Sequence, residues 1–119
     1  MYKQILLSVP NQEQFLLENS CLPGPRSNLE LLHAFAEISD LQKVEEILNR
    51  KYEVTPVNSP EEFLFFCAVA ACGKHILNNS DHLIPVLKRL ASDERWRVRE
   101  SVAMALQYIG KFDFDKLKK

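Results

Sequence analysis

The sequence has little of what marks a membrane-spanning, metal-binding or cofactor-dependent protein. Its longest apolar run is the ten residues from Phe63 to Cys72, about half the length that crosses a bilayer. The opening residues, MYKQILLSVP, lack the long apolar core and the small-residue cleavage site of a secretion signal. None of the three cysteines belongs to a C-x-x-C pair. We therefore predict no membrane contact, no metal and no cofactor.

Histidine and cysteine usage points the same way. No two of His33, His75 and His82 lie three or four residues apart, so no zinc site is predicted. Cys67 and Cys72 are predicted to be free thiols on one helix, which is typical of a reducing compartment and predicts a cytoplasmic location. No Ser/His/Asp, Cys/His or phosphate-loop pattern occurs, so we do not predict an enzyme.

Length and composition are those of one ordinary globular domain covering residues 1–119, with 46% apolar and 26% charged residues. Charge is uneven along it. Residues 1–85 carry six basic and eleven acidic side chains, whereas residues 86–119 carry nine basic and five acidic ones. This asymmetry indicates either a basic binding face or a solvated surface with a lysine-rich end.

The stretch from Ser80 to Gly110, SDHLIPVLKRLASDERWRVRESVAMALQYIG, predicts two helices joined by a tight turn. The second helix has one apolar stripe, formed by Val98, Val102, Ala105, Leu106 and Ile109. Arg97, Glu100, Met104 and Gln107 lie opposite that stripe. Asp93 is predicted to cap its start and Gly110 to cap its end. Pro85 falls in the first turn of the first helix, where a missing N–H costs little.

An earlier stretch repeats this pattern. EEFLFFCAVAACGK, from Glu61, aligns with VRESVAMALQYIGK, from Val98, after a shift of 37 residues. The alignment matches Ala68 with Ala105 and Gly73 with Gly110. LQKVEEIL would be the partner helix of the first copy, and LELLHAFAEI the last helix of a preceding unit.

The residues that carry this pattern resemble a HEAT repeat: Pro85, Leu87, Leu90, Asp93, Val98, Arg99, Ala103, Leu106 and Gly110. The phrases LPGPRSNLEL, NSPEEFLFFC and LASDERWRVRESVAMAL are similar to those of a bacterial family of small HEAT-repeat proteins. Members of that family are often classified by fold together with DNA alkylation repair proteins. The resemblance implies an all-α fold, an α-α superhelix of about five to six helices, and is nearly silent on function.

The rest of the chain fits such a stack. Asn11 can cap a helix carrying Phe15, so the first eighteen residues predict an N-terminal capping helix. The proline-containing turn CLPGPRSN cannot lie inside a helix. The segment FLFFCAVAAC is apolar on all sides, which predicts a buried central helix with Phe63 and Phe66 in the core. The longest connection runs from Asn49 to Pro60.

Three arginines and the single tryptophan crowd the start of the last helix: Arg95, Trp96, Arg97 and Arg99. Guanidinium groups hold phosphate or carboxylate, and an indole ring stacks on a base. In HEAT-like stacks such helices line the concave face, so these residues are candidate binding residues. The alternative is that Arg99 pairs with Asp93 or with a carboxylate one repeat back, and that Trp96 wedges between layers.

Arg26 is a further candidate, because it lies just before the helix that starts at Leu29. One reading is an anion contact made by Arg26 together with the free amides of that helix. The other, which we favour, is a pair between Arg26 and Glu30 or another carboxylate.

Three functions compete. We predict a non-catalytic scaffold whose concave face binds a protein or peptide. The runner-up is nucleic-acid binding, with the arginines on phosphates and Trp96 beside a base. An alkyl-base DNA glycosylase is third, because such enzymes resemble longer arrays with several aromatics and an acid on the concave face, and this chain has one tryptophan.

The C-terminal end carries apolar residues with little chain left to bury them: Met104, Tyr108, Phe112, Phe114 and Leu117. Three outcomes are open at this point. The tail folds back, the chain is truncated and continues in the native gene product, or this end self-associates. We predict self-association through the C-terminal helix.

Overall fold

Seven α-helices and one 3-10 turn make up the fold in a computed structural model that describes residues 2–22, 24, 26–49, 58–93 and 95–112. The helices are α1 (Tyr2–Ser8), α2 (Gln12–Glu18), α3 (Leu29–Ile38), α4 (Leu41–Leu48), α5 (Pro60–Leu77), α6 (Ile84–Leu90) and α7 (Trp96–Phe112), with the 3-10 turn at Asp81–Leu83. The described residues contain no strand. The all-α prediction is confirmed, but the count of five to six helices is too low because the N-terminal stretch forms two helices.

Helix starts follow from local chemistry. Side-chain oxygens of Asn11, Asn28, Asp40 and Ser59 accept hydrogen bonds from backbone N–H groups in the first turns of α2, α3, α4 and α5. Such caps satisfy donors that have no partner inside the helix. Pro60 and Pro85 lie in the first turns of α5 and α6, where proline fits without loss of a bond.

Helix α5 is the centre of the molecule. Every residue from Glu62 to Gly73 is buried, and α5 contacts α2, α3, α4, α6 and α7. Phe63 and Phe66 are both buried and stack edge to face, with ring centroids 5.7 Å apart. The prediction of a central helix that is apolar on all sides is confirmed.

Helices α3, α5 and α7 run parallel, as their contacts show. Glu62 and Arg97 meet near the starts of α5 and α7, while Gly73 and Ala105 meet further along both. The ends of α3 and α5 also meet, because Nζ of Lys74 donates to the carbonyls of Glu37 (2.7 Å) and Ser39 (3.1 Å). The N-terminal ends of three helices therefore lie toward one side of the molecule.

Gly73 permits the close approach of α5 and α7. A Cβ at this position would lie 2.6 Å from the backbone oxygen of Ala105, closer than such atoms come in proteins. Gly73 and Gly110 both lie inside helices, since α5 continues to Leu77 and α7 to Phe112. The prediction that Gly110 ends its helix is therefore wrong, and glycine serves packing in α5.

Replacing Gly73 by alanine should lower the free energy of unfolding by about 1–3 kcal/mol, because a backbone atom faces the new methyl group and one helix must move. Gly110→Ala is the matched control in the equivalent position of α7, where the gain in helix propensity is at most about 1 kcal/mol. Urea unfolding of both variants measures the difference. Equal or higher stability of Gly73→Ala would contradict the close contact.

Two predictions about α7 need correction. Leu106 is 41% exposed and does not belong to the core stripe, whereas Val98, Val102, Ala105 and Ile109 are buried. Asp93 does not cap the helix in the usual way: its Oδ1 accepts from the N–H of Arg95, the residue before the helix begins. Most of the predicted connection 49–60, together with Phe114 and Leu117, lies outside the described residues.

The three thiols differ in setting. Cys67 and Cys72 are buried in α5, as predicted, while Cys21 is exposed in the turn before α3. Burial raises the pKa of Cys72 to about 12 and that of Cys67 well above its ordinary value. Both α5 thiols are therefore protonated near neutral pH and act as small apolar groups in the core.

Candidate functional site

The five candidate binding residues separate into two groups. Arg26, Trp96 and Arg97 line one surface groove, while Arg95 and Arg99 both bind Asp93 on another side of the α7 start. This division arises because successive residues of a helix point about 100° apart.

The groove that we call the Trp96 groove has a volume of about 430 Å³ and is lined by Arg26, Ser27, Leu29, Trp96, Arg97 and Glu100. One wall is the segment that leads into α3, and the other is the first turn of α7. Trp96 is 51% exposed, and Leu29 beside it is also exposed. The groove thus combines apolar surface with charges of both signs.

Arg97 forms the buried floor of this groove. We predicted that it projects away from the core, which is wrong, since the residue is only 5% exposed. Nη1 donates to Oδ1 of Asn58 (2.9 Å), and Nη2 donates to the carbonyl of Gly24 (3.1 Å). The guanidinium also lies over the Trp96 ring, 4.7 Å from its centroid. The long side chain is buried because other segments supply its acceptors.

Glu62 is the negative partner beneath Arg97. Its Oε1 lies 3.7 Å from Nη1 of Arg97 and accepts from the N–H of Asn58 at 2.9 Å. Asn58 therefore bridges the two charges, in a left-handed conformation (φ 61°) that asparagine tolerates. Glu62 is 1% exposed, and its Oε2 has no hydrogen-bond partner in the part of the chain that the structure describes.

Sequence reasoning missed Glu62 and Asn58 as members of this network. One signal was available, because Glu62 is a charged residue at the border of an all-apolar helix, and such a charge needs a partner. The identity of the partner was not available from the sequence, since Arg97 lies 35 positions later.

The side chains of Arg95 and Arg99 form hydrogen bonds within the protein. Nε of Arg95 donates to Oδ1 of Asp93 (3.0 Å), and Nη2 donates to Oδ2 (3.1 Å). Nη1 of Arg99 donates to the carbonyl oxygen of Asp93 (2.8 Å). The side-chain hydrogen bond from Arg95 is the main reason that the pKa of Asp93 lies below its ordinary value. Arg99 therefore contacts Asp93, as one alternative predicted, but through the backbone carbonyl.

Arg26 is not paired in the way that we favoured. Its side chain is exposed and makes no ion pair with Glu30 or with any other residue among those described. Asn28 instead caps α3, accepting from the N–H of Leu31 at 3.2 Å. Arg26 therefore lines the Trp96 groove with an exposed side chain.

A serine–histidine contact elsewhere is structural. The hydroxyl of Ser39 donates to the carbonyl of Ala36 (3.1 Å) and lies 3.0 Å from Nε2 of His75. Both side chains are buried, and burial is the main cause of the lowered pKa of His75, followed by the charge of Lys74. The contact joins the end of α3 to α5.

Among the described residues, no three histidine, cysteine or acidic side chains are grouped so as to hold a metal ion, and no helix has the length and apolarity needed to span a membrane. No family model, no curated protein and no solved structure matches the chain.

Proposed function

We propose that this protein is a non-catalytic binding scaffold, a HEAT-like α-solenoid that holds a peptide segment of another protein in the Trp96 groove. The observation that carries the proposal is the meeting of an exposed tryptophan and a solvent-facing arginine in one groove, although Arg26 and Trp96 are 70 positions apart. Tryptophan and arginine are enriched among residues that dominate binding energy at interfaces.

The parallel row of α3, α5 and α7 supports the solenoid part of the proposal. In stacked helical repeats, equivalent helices of successive units lie side by side and run the same way. Helices α5 and α7, which the 37-residue shift aligns, have this relation. Under this proposal, α1 and α2 close the N-terminal end of the stack.

The side chains that line the groove indicate which peptide side chains it would bind. Arg26 suits a carboxylate, while Trp96 and Leu29 suit a large apolar side chain. Glu100 lies on the same groove and suits an N–H donor or a basic group. The groove therefore fits an extended segment with an acidic residue close to an aromatic or aliphatic one.

The buried network prepares the groove for binding. The guanidinium of Arg97 is held by Asn58 and Gly24 and packs on one face of the Trp96 ring. A ring that is already oriented loses less conformational entropy on binding. Nucleic acid is the weaker candidate, because the guanidiniums of Arg95, Arg97 and Arg99 donate to acceptors of the protein itself.

Trp96 is the single tryptophan of the chain, so its fluorescence reports on the groove alone. A peptide selected from a random display library should quench or blue-shift its emission in a saturable titration. Arg26→Ala should raise the dissociation constant of that peptide roughly tenfold, the effect of losing one charge-assisted hydrogen bond. Arg89→Ala, at an exposed arginine of α6, is the control and should bind as the parent does.

Labelled single- and double-stranded DNA and RNA are titrated under the same conditions. Selected peptides that bind without altering the Trp96 emission, or that bind Arg26→Ala and the parent equally, would reject the groove as the peptide site. Nucleic-acid binding that falls steeply with salt, with no peptide selected, would favour the runner-up function.

A further inference from the structure

One side of helix α7 is not packed against another described helix. Its main contacts within the described chain are with α5 and α6. On its outer side lie Arg99, Ala103 and Leu106, which are exposed, and Gly110, which is half-buried. We call these four residues the end face. The Trp96 groove uses other residues of α7, namely Trp96, Arg97 and Glu100, of which Glu100 also borders the end face.

The end face is the counterpart of the surface on α5 that receives α7. With the 37-residue shift, it aligns with Glu62, Phe66, Val69 and Gly73. Two of these α5 residues demonstrably face α7, since Glu62 lies 3.7 Å from Arg97 and a Cβ on Gly73 would meet Ala105. The end face therefore repeats a pattern that, one unit earlier, is packed against a helix at close range.

The spacing of the end face makes it complementary to itself. Its members are separated by four, three and four positions, an order that reads the same in both directions. Two antiparallel copies of α7 would place Leu106 of each against Ala103 of the other, and Arg99 of each against Gly110 of the other. Large side chains then face small ones, so the two helices can interdigitate at close range. Such a surface can form a contact that obeys two-fold symmetry.

The charges beside the end face favour the same arrangement. Glu100 and Lys111 flank it on the same side of α7, at opposite ends. In the antiparallel pair, Glu100 of one copy lies about two residues, or roughly 3 Å along the axis, from Lys111 of the other. Symmetry produces this opposite-charge contact twice. A parallel pair would instead place this flank of the two copies on opposite sides of the contact, so the Glu100–Lys111 contacts could not form.

We propose that two copies of this protein form a symmetric dimer through the end face, with their α7 helices antiparallel. Leu106 of each copy is the apolar anchor, Ala103 is the space that receives it, and Gly110 allows the backbones to approach. A second copy of the same chain thus covers the end face of α7.

Sedimentation velocity over a wide concentration range tests the dimer. The parent chain should pass from monomer to dimer, and Leu106→Glu should raise the dissociation constant roughly 30-fold or more, as expected for loss of a central anchor. Leu7→Glu introduces the same change at an exposed leucine of α1 and should leave association unchanged. Circular dichroism checks that both variants keep their helices. A parent that stays monomeric throughout, or a Leu106→Glu variant that still associates, overturns the proposal.

Ala103→Leu separates this packing from unspecific apolar association. It should weaken the dimer because Leu106 of the other copy occupies that space, whereas an unspecific contact would be strengthened by the added apolar area. Glu100→Lys and Lys111→Glu should each weaken association, and the double exchange should restore it. A stronger dimer in Ala103→Leu, or no recovery in the double exchange, overturns the antiparallel arrangement.

Discussion

Replacing Phe66 by alanine should lower the free energy of unfolding by about 3–5 kcal/mol, the usual effect of truncating a fully buried phenylalanine. Phe66 is 2% exposed and lies in α5, which is surrounded by neighbouring helices. The deletion removes its edge-to-face contact with Phe63 and leaves a cavity that the packed helices around α5 cannot easily close. Chemical denaturation with urea, monitored by circular dichroism, measures the loss.

Phe112→Ala is the matched control, because the same atoms are removed from a ring that is 60% exposed at the end of α7. It should change stability by less than about 1 kcal/mol, as surface substitutions usually do. Coincident unfolding curves for the two variants would mean that α5 is not the central helix.

Replacing Arg97 by methionine should cost about 3–5 kcal/mol, since it leaves the buried Glu62 carboxylate without its cation. The side chain of methionine is apolar and of similar length, so lost packing is a small part of the effect. Asn58 and Gly24 also lose their hydrogen bonds to the guanidinium, which loosens the floor of the Trp96 groove. Thermal and urea unfolding both report the change.

Two further variants assign this loss to the buried charge. Arg89→Met removes an exposed arginine of α6 and should cost less than about 1 kcal/mol. Arg97→Met combined with Glu62→Gln should regain at least half of the loss, because glutamine keeps an acceptor for Asn58 without a charge. If the double variant is as unstable as Arg97→Met alone, the charge of Glu62 is not the cause.

The pattern of the sequence was sufficient for the local features of the fold. Asn11 was placed correctly at the start of a helix, because capping depends on a side chain and the next few backbone groups. The burial of α5 was also predictable, since a helix with apolar residues on every side has no surface to present to water. The end of α7 was misplaced at Gly110. A glycine can end a helix or lie inside one where helices pack closely, and the sequence does not distinguish these two roles.

The candidate site was predicted only in part. Arg26 and Trp96 were both chosen as binding residues, and the structure brings them to one groove with Arg97. Arg95 and Arg99, which were grouped with them, do not line that groove, because proximity along a helix does not place side chains on one face. The role of Glu62 was missed, since its partner comes from a different helix.

Taken alone, the sequence determined the helical class, most helix starts and the identity of the central helix, because all three depend on interactions within a few residues. Only the tertiary structure decided which charges are buried and which face solvent. Arg97 is buried because Gly24, 73 positions away, and Asn58, 39 positions away, supply acceptors that balance its desolvation. Arg26 has no such partner among the described residues and stays at the surface. The difference between the two arginines is set by what the fold places beside each of them.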